Sequence, residues 1–310
     1  MNPEISLIVI AYREEARIGS AVRSILAQKT SADFELIVVD DGSDDKTSQM
    51  ATRAALGDGR LHLIRFPENR GRGAARAAGL AAAAGRLIGF VDADIALSPD
   101  WLERCRAALP GYAAVGGIAL PDGDSAVVAR LSGARARLRR GSLAVTGNNA
   151  LFDGSILRSI EFPDTRLGED FRLERRLMEA GQRTRTVPGL VVAHAEHKSY
   201  RAGLRWLYTS GIDATALWAE FRLLRSPDLA WTGWLASLIV SLSLWPRLGP
   251  VALLLFVAVT GVIGSLHALT RFHLCPLAPF ARAWLLDQPA LVAYLLGRTV
   301  GVVVLFRSKS

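Results

Sequence analysis

Apolar and polar positions alternate over the first 94 residues in a pattern that predicts strands and helices in turn. Four apolar runs have the length of strands buried in a parallel sheet; they are residues 5–11, 34–39, 61–66 and 87–91. The segments between them carry apolar residues at helical spacing; they are residues 15–28, 44–56 and 72–84. We expect Asp44 to cap the second helix and Gly85 to end the third. This order predicts an α/β domain with a mostly parallel, doubly wound sheet.

The pattern continues less regularly beyond residue 94. Ser98 and Pro99 are typical of a helix start, and we expect that helix to reach about residue 109. Later elements are expected as a strand over 115–120, strand and turn over 143–152, a helix from Gly168 to about 180, a strand over 184–193 and a mostly helical segment over 200–224. An arginine-rich stretch over 127–140 could bind anionic head groups or form a solvated face.

Three apolar stretches follow, over residues 229–245, 249–270 and 290–306. The first two have the length of membrane helices, which a tight turn at Pro246 and Arg247 would join. The rival interpretation is a buried helical hairpin of a soluble protein. The third contains Arg298, which is costly in a bilayer unless it is paired, so a span and an interfacial or re-entrant helix both stay open.

Charges near these stretches predict the topology. Arg271 and Arg282 follow the second stretch, which places the N-terminal domain on the cytoplasmic side. We therefore predict a cytoplasmic domain over 1–226, with a membrane-surface helix over about 200–226, and a multi-pass region of the cell membrane over 227–310. The N-terminus lacks the pattern of a signal peptide.

The net charge is +8 and comes almost entirely from arginine. A GC-rich genome would explain this composition, and so would attraction to phosphates and anionic lipids. Cys105 and Cys275 are far apart and in no metal or redox spacing, so we expect no disulfide framework and a reducing compartment.

Two acidic clusters follow predicted strands, namely Asp40-Asp41-Gly42-Ser43 and Asp92-Ala93-Asp94. Ligands of open α/β sheets bind outside the carboxyl ends of the strands. Carboxylates meet a diphosphate through a divalent cation, so these clusters predict a nucleotide-diphosphate substrate. The alternative is a turn with a helix cap at each place. A second Asp-x-Asp, Asp122-Gly123-Asp124, receives no function.

Other polar groups are expected beside the same strand ends. The segment Asn69-Arg70-Gly71-Arg72-Gly73, together with Arg76, offers backbone amides and guanidinium groups for phosphate oxygens, although a solvated basic turn would look the same. Tyr12 could stack on a base or pack in the core.

The order of five motifs resembles family-2 glycosyltransferases of the GT-A fold over about residues 4–210. The motifs are Ile8-Val9-Ile10-Ala11-Tyr12-Arg13-Glu14-Glu15, Val38-Val39-Asp40-Asp41-Gly42-Ser43, Asn69-Arg70-Gly71, Val91-Asp92-Ala93-Asp94 and Gly168-Glu169-Asp170. The resemblance implies an inverting, hexosyltransferase-like enzyme with a nucleotide-diphospho-sugar donor and Mg²⁺ or Mn²⁺.

The resemblance also implies roles for residues. Asp170, with Glu169 as second choice, would be the general base, which suits attack by an acceptor hydroxyl opposite the diphosphate. Asp94 would bind the metal directly, Asp92 would lie nearer the ribose and diphosphate, and His194 or His197 would be a further ligand. The donor site would be formed by Ala11, Tyr12, Glu14, Asp41, Asn69, Arg70, Gly71, Arg76, Asp92, Ala93 and Asp94.

Arg205 and Trp206 resemble part of the Gln-x-x-Arg-Trp motif of processive members, but Ala202 stands at the glutamine position. We therefore expect one sugar per encounter, with Arg205 and Trp206 near the acceptor or diphosphate, or else anchoring a helix at the membrane surface. The apolar stretches predict a lipid or lipid-linked acceptor, and no nucleic-acid partner is expected. A polyprenyl-phosphate sugar synthase, a nucleotidyltransferase and a non-catalytic membrane scaffold remain as alternatives.

Overall fold

The computed structural model describes residues 2–121, 148–162, 168–195, 200–221, 226–274 and 280–307. These residues form two compact units. The first unit contains the described residues up to 195 and the second contains those from 200 onward. The basic stretch over 127–140, Asp122-Gly123-Asp124 and His197 lie outside the described residues.

The first unit is built on one eight-stranded sheet of order β3-β2-β1-β4-β7-β6-β8-β5. Its strands are β1 Ile5–Ala11, β2 Phe34–Asp40, β3 Leu61–Arg65, β4 Leu87–Asp92, β5 Ile95–Ala96, β6 Ala114–Pro121, β7 Asn149–Asp153 and β8 Thr184–His194. Its helices are α1 Ile18–Leu26, α2 Thr47–Ala55, α3 Arg72–Ala82, α4 Trp101–Ala108, α5 Gly154–Ser159 and α6 Glu169–Glu179.

The predicted parallel arrangement is confirmed for the first four strands. Strand β1 pairs in parallel with β2 and β4, and β2 pairs in parallel with β3. Apolar side chains pack on both faces of β1, β2 and β4, which is why the sequences of these three strands are nearly continuous apolar runs, whereas β3 is partly exposed. The carboxyl ends of β1, β2 and β4 therefore meet at one edge of the sheet.

The sheet is mixed rather than mostly parallel beyond β4, which corrects the prediction. Strand β7 pairs antiparallel with β4 and β6, and β5 pairs antiparallel with β8. Only β6 and β8 return to a parallel pairing. These pairings join segments far apart in the chain, which local hydrophobic patterns do not encode.

Two predicted helix ends are wrong. Asp44 does not cap α2; it forms an ion pair with Arg13 at 2.6 Å, and Asp45 accepts the backbone N–H of Thr47 at 3.0 Å instead. Helix α3 ends before Gly85. A Cβ atom on Gly85 would lie 2.5 Å from the backbone nitrogen of Ser6, so this glycine permits close contact with β1 rather than a left-handed cap.

The second unit consists of helices α7 Tyr200–Phe221, α8 Ser226–Leu248, α9 Pro250–Leu274 and α10 Phe280–Arg307. All three predicted apolar stretches are thus helical. The expected turn at Pro246 and Arg247 is wrong, because α8 continues through both residues and the chain reverses at Gly249, where φ is +51°. Over the residues whose side chains are described, none of these helices has the length and hydropathy needed to cross a membrane.

Helices α7 and α10 pack at very short range. A Cβ atom on Gly211 would lie 2.3 Å from the backbone oxygen of Tyr294, and one on Gly297 would lie 1.9 Å from that of Tyr208. The side chain of Arg298 is buried at 3% exposure, with its guanidinium carbon 5.7 Å from the ring centroid of Trp231. The arginine that the sequence singles out therefore faces the helical bundle.

Candidate active site

Asp94 and His194 meet at the carboxyl ends of their strands. The short strand β5, which directly follows Asp94, pairs with the end of β8 so that Ile95 lies opposite His194. The backbone N–H of Ala195 also donates to the backbone oxygen of Asp94 at 2.8 Å. These contacts bring Nε2 of His194 to 3.1 Å from Oδ2 of Asp94. The predicted pair of metal ligands is therefore in contact.

The chemistry and spacing of this pair fit a divalent cation. Two ligands at adjacent corners of an octahedron, each about 2.1 Å from the ion, lie about 3.0 Å apart. Among the described residues, no group of three or more His, Cys, Asp or Glu is arranged to hold an ion alone. Mg²⁺ usually takes one or two protein carboxylates and completes its coordination with water and substrate phosphates. The pair thus suits a cation that a diphosphate helps to hold.

Asp41 organises the loop that carries Asn69, Arg70 and Gly71. Its carboxylate accepts the backbone N–H of Arg70 at 2.7 Å and that of Gly71 at 2.9 Å. The loop also rests on Gly42, where φ is +72° and a Cβ atom would lie 2.3 Å from the backbone carbon of Glu68. The side chain predicted to meet the base therefore also fixes the loop predicted to meet the phosphates.

Two arginines and two carboxylates form a cluster between α3, β4 and α6. Arg76 donates from Nη1 to Oε1 of Glu169 at 2.7 Å and from Nη2 to Oδ1 of Asp92 at 3.0 Å. Arg72 lies with its Nε 2.9 Å from Oε1 of Glu169 and its Nη2 3.6 Å from Oδ2 of Asp92. We call Arg72, Arg76, Asp92 and Glu169 the charge cluster.

The charge cluster corrects the expected role of Arg76. Its side chain is only 2% exposed, so it has no surface for a donor molecule, whereas the Arg72 side chain is 45% exposed. Burial opposes the charge on Arg72, but Asp92, Glu169, Asp170 and Asp94 together raise the pKa of its guanidinium. A single half-exposed arginine therefore lies within electrostatic reach of all four predicted carboxylates.

Glu14 and Arg17 extend the site toward β1. Arg17 donates from Nε to Oε2 of Glu14 at 2.6 Å and from Nη1 to the backbone oxygen of Ala195 at 3.4 Å. Burial raises the pKa of Glu14, and this effect outweighs the lowering by the ion pair with Arg17. The nearby charges of Asp94 and Asp92 raise the pKa further. Glu14 therefore lies close to the proposed metal ligands.

The remaining predicted donor residues differ in exposure. Ala11 and Ala93 are buried, whereas the Tyr12 side chain is 40% exposed, with the Arg13 guanidinium 5.2 Å from its ring centroid. Tyr12 is therefore outside the core and accessible for stacking.

Asp170 follows Gly168 and Glu169 at the first turn of α6. Gly168 has a φ of +67°, and the carboxylate of Asp170 accepts the N–H of Phe171 at 2.8 Å. One turn later, Glu174 is half-buried; burial and the charge of Asp170 raise the pKa of its carboxyl to about 7, although Arg175 opposes the shift. The start of α6 thus carries a second carboxyl that the sequence analysis did not select.

Arg205 and Trp206 lie on α7 of the second unit, and both are exposed. Their predicted contact with the acceptor or diphosphate stays a prediction. The sequence did not single out Arg17 and Glu174 as site residues. Local spacing could have indicated Glu174, which lies four residues after Asp170 on the same face of α6. Arg17 lies three residues after Glu14, in the turn before α1.

Comparison with known proteins identifies the family. Residues 6–155 match the family "Glycosyl transferase family 2", and residues 87–286 match "Glycosyl transferase family group 2". The chain is 42% identical over 102 residues to the succinoglycan biosynthesis protein ExoO of Rhizobium meliloti, a match that covers 33% of this chain and 28% of that protein. An N-acetylglucosaminyltransferase of Mesorhizobium japonicum is 27% identical over 256 residues, which cover 73% of this chain and 60% of that protein.

Solved structures support the same fold. The mannosyltransferase PcManGT from Pyrobaculum calidifontis, in complex with GDP-Man and Mn²⁺, has a TM-score of 0.63 at 22% identity and covers 96% of this chain and 88% of that chain. Glucosyl-3-phosphoglycerate synthase from Mycobacterium tuberculosis, in complex with Mg²⁺ and UDP, has a TM-score of 0.54 at 22% identity and covers 72% and 81%. The chain spans under a third of the length of the first curated relatives it matches. It belongs to glycosyl transferase family group 2 and has an α/β GT-A-like fold with a mixed sheet.

Proposed function

We propose that the enzyme transfers one sugar per encounter, with inversion, from a nucleotide-diphospho-sugar to a hydroxyl of a lipid or lipid-linked acceptor. The observation that carries this proposal is the position of Arg72. Its guanidinium lies beside Asp92, two residues before Asp94, and beside Glu169, which directly precedes Asp170. The metal-ligand pair and the candidate base thus flank one half-exposed cation, which suits a diphosphate between them.

The donor would be held by groups at or after the ends of five strands. Asp41 would accept a ring N–H of the base, Tyr12 would stack on it, and the loop at Arg70 and Gly71 would meet the phosphates. Mg²⁺ or Mn²⁺, bound by Asp94 and His194, would neutralise the leaving diphosphate. The names of two solved relatives record GDP-Man with Mn²⁺ and UDP with Mg²⁺, which supports this donor class.

Asp170 is the better candidate for the general base. Oε1 of Glu169 already accepts a hydrogen bond from Arg76 and forms an ion pair with Arg72, and the side chain is 1% exposed. Asp170 is partly exposed, and its described hydrogen bond is to a backbone N–H. Its carboxylate would take the proton of the acceptor hydroxyl as that oxygen attacks the anomeric carbon and the bond to the diphosphate breaks.

A bilayer is the proposed partner of the second unit. Large apolar side chains are exposed along α8, α9 and α10; they include Ile239, Val240, Leu242, Trp245, Val251, Leu253, Leu254, Leu255, Val257, Val262, Leu266, Leu296, Val303 and Val304. Exposed apolar surfaces of this extent mark contacts with membranes or proteins. The glycine contacts between α7 and α10 are also typical of helices that pack in lipid. We propose that this surface holds the enzyme at the cell membrane with the first unit on the cytoplasmic side.

Thermal denaturation with nucleotides tests the donor assignment. The full chain would be heated with UDP, GDP, dTDP or CMP, each with and without Mn²⁺. Selective stabilisation by one nucleotide that requires Mn²⁺ is expected, since a ligand of the folded state raises its stability. Asp94→Asn should lose the effect, while Asp58→Asn, which changes an aspartate paired with Arg60 outside the site, should keep it. A folded wild-type protein without any shift would contradict the proposal and favour a scaffold.

Vesicle flotation tests the membrane contact. The full chain should float with vesicles that contain phosphatidylglycerol, and the double variant Leu254→Asp/Val257→Asp should float less, since two charges enter the apolar surface. Leu56→Asp is the matched control, because Leu56 is an 89% exposed leucine of the first unit. Equal flotation of all three proteins would contradict the role of the apolar surface.

A further inference from the structure

The charge cluster gives Arg76 two different partners on two different elements. Its Nη1 atom donates to Glu169 on α6 at 2.7 Å, and its Nη2 atom donates to Asp92 on β4 at 3.0 Å. The side chains of Arg76 and Glu169 are 2% and 1% exposed. A guanidinium is planar and rigid, so donating from two nitrogens fixes both the distance and the angle between the two carboxylates.

The position of Arg76 itself is fixed by packing. Its guanidinium carbon lies 5.5 Å from the ring centroid of Phe90, a residue of β4 that is 1% exposed. Helix α3 lies directly against the sheet, because a Cβ atom on Gly79 would come within 2.4 Å of Cγ2 of Ile8. Arg76 therefore has little freedom to follow one partner at the expense of the other.

We infer that Arg76 is a positioning residue that sets the distance between the metal-binding end of β4 and the first turn of α6. Asp92 is two residues from the proposed metal ligand Asp94, and Glu169 directly precedes the proposed base Asp170 in the chain. The inference rests on the proposed transfer reaction. It assigns Arg76 no contact with donor or acceptor, which distinguishes it from the half-exposed Arg72.

The conservative variant Arg76→Lys provides the first test. A lysine keeps the charge but cannot reach two carboxylates with a planar fork. The matched control is Arg158→Lys, because Arg158 donates from Nη2 to the backbone oxygens of Ala83 at 2.9 Å and Gly85 at 3.0 Å, away from the site. Both variants replace an arginine that bridges two acceptors; Arg76 lies within α3, and Arg158 contacts the loop that follows α3.

The two variants should differ in catalysis more than in binding. Misplacement by about 1 Å can reduce a rate about 100-fold. We expect Arg76→Lys to lower kcat about 100-fold and to weaken the nucleotide–Mn²⁺ affinity less than about tenfold, with Arg158→Lys close to wild type in both. A kcat for Arg76→Lys within threefold of that of Arg158→Lys would overturn the inference.

A neutral double variant separates positioning from charge compensation. Removing one partner of a buried ion pair is strongly destabilising, whereas replacing both by neutral groups of similar volume is often tolerated. Arg76→Met/Glu169→Gln should therefore recover much of the Tm lost in Arg76→Met without recovering kcat. If the double variant recovers kcat as well as Tm, Arg76 only compensates the charge of Glu169, and its positioning role is overturned.

Hydrogen exchange tests the positioning role of Arg76 without relying on the proposed reaction. In the ligand-free protein, Arg76→Lys should speed amide exchange in the first turns of α6, over residues 172–175, relative to Arg158→Lys. Equal exchange rates overturn the inference whatever the enzyme transfers. Faster exchange in Arg76→Lys, combined with a wild-type protein that binds no nucleotide, would support the positioning contact and overturn only the proposed reaction.

Discussion

His194 and Asp94 are in hydrogen-bond contact at 3.1 Å although 100 residues separate them in the chain. Burial acts to raise the pKa of Asp94, but the hydrogen bond and charge of His194, together with the charge of Arg17, outweigh it and lower that pKa. Each of the two side chains is 18% exposed, so the pair is accessible to an ion without being open to bulk water.

His194→Ala should therefore weaken the effect of Mn²⁺ on nucleotide binding. Loss of one of two protein ligands is expected to reduce the metal-dependent affinity about tenfold or more, while nucleotide binding without metal stays near its wild-type value. Isothermal titration with and without Mn²⁺ measures both quantities. His62→Ala is the control, because His62 is an exposed histidine near Glu35. Equal Mn²⁺ dependence in the two variants would remove His194 from the metal site.

Sequence patterns identified the acidic strand ends because β1, β2 and β4 are continuous apolar runs whose carboxyl ends must meet in a parallel sheet. The mixed half of the sheet could not be predicted in this way, since β7 inserts between β4 and β6 through pairings that no local period encodes. The contact of His194 with Asp94 depends on that mixed half. Its prediction came from the family resemblance and not from periodicity.

Asp170→Asn tests the assignment of the base. The variant should bind the nucleotide and Mn²⁺ like wild type but lose kcat by about 100-fold or more, since general-base catalysis contributes about 100- to 10,000-fold. Transfer assays with hydroxyl acceptors and nucleotide titrations measure the two effects. A polyprenyl phosphate attacks through an oxygen that is already ionised, so turnover that survives in Asp170→Asn would favour that acceptor class instead.

Glu169→Gln should behave differently from Asp170→Asn. The Glu169 side chain is buried, and its Oε1 accepts a hydrogen bond from Arg76 and pairs with Arg72, so loss of its charge leaves Arg76 poorly compensated in the interior. We expect a fall in Tm of several degrees together with the loss of activity. If Glu169→Gln keeps the wild-type Tm and loses only kcat, Glu169 rather than Asp170 would be the better candidate for the general base.

Gly42→Ala tests the support of the donor loop. The new Cβ atom would lie 2.3 Å from the backbone carbon of Glu68 and 2.6 Å from the nitrogen of Asn69, so the loop must move. Gly57→Ala is a close control, because Gly57 has a similar φ of +82° but no atom within 4 Å of the added carbon. Both variants should lose about 1 kcal/mol from backbone strain, and only Gly42→Ala should also lose nucleotide affinity. Equal nucleotide affinities of the two variants would mean that the loop does not contribute to donor binding.

Arg76 and Arg72 show the limit of residue type as a guide. Both are arginines on α3 near the strand ends, the sequence predicted a role in phosphate binding for both, and the family resemblance placed Arg76 in the donor site. The structure buries Arg76 under the site and leaves Arg72 at its surface. Arg72 is the first residue of α3, whereas Arg76 lies one turn further along the same face, against Phe90 of β4. Motif position indicated the right region, but the depth of a side chain follows from packing.

Glu174 should make the stability of the protein depend on pH. Its carboxyl pKa is raised from 4.5 to about 7, mainly by burial and then by Asp170. The folded state therefore holds this proton more tightly than the unfolded state, so the contribution of Glu174 to stability is largest below about pH 4.5 and falls as the pH rises toward 7. Glu174→Gln removes this titration, and the variant should gain stability relative to wild type across that interval.

The expected gain for Glu174→Gln at pH 8 is about 1–2 kcal/mol, after a discount for partial exposure from about 1.4 kcal/mol per pKa unit. Urea denaturation midpoints from pH 4 to pH 8 measure it. Glu179→Gln changes an exposed carboxylate of the same helix, so its curve corrects for the altered net charge. A difference between Glu174→Gln and wild type that stays constant from pH 4 to pH 8 would mean that the Glu174 carboxyl is ionised equally in the folded and unfolded chains, against its burial beside Asp170.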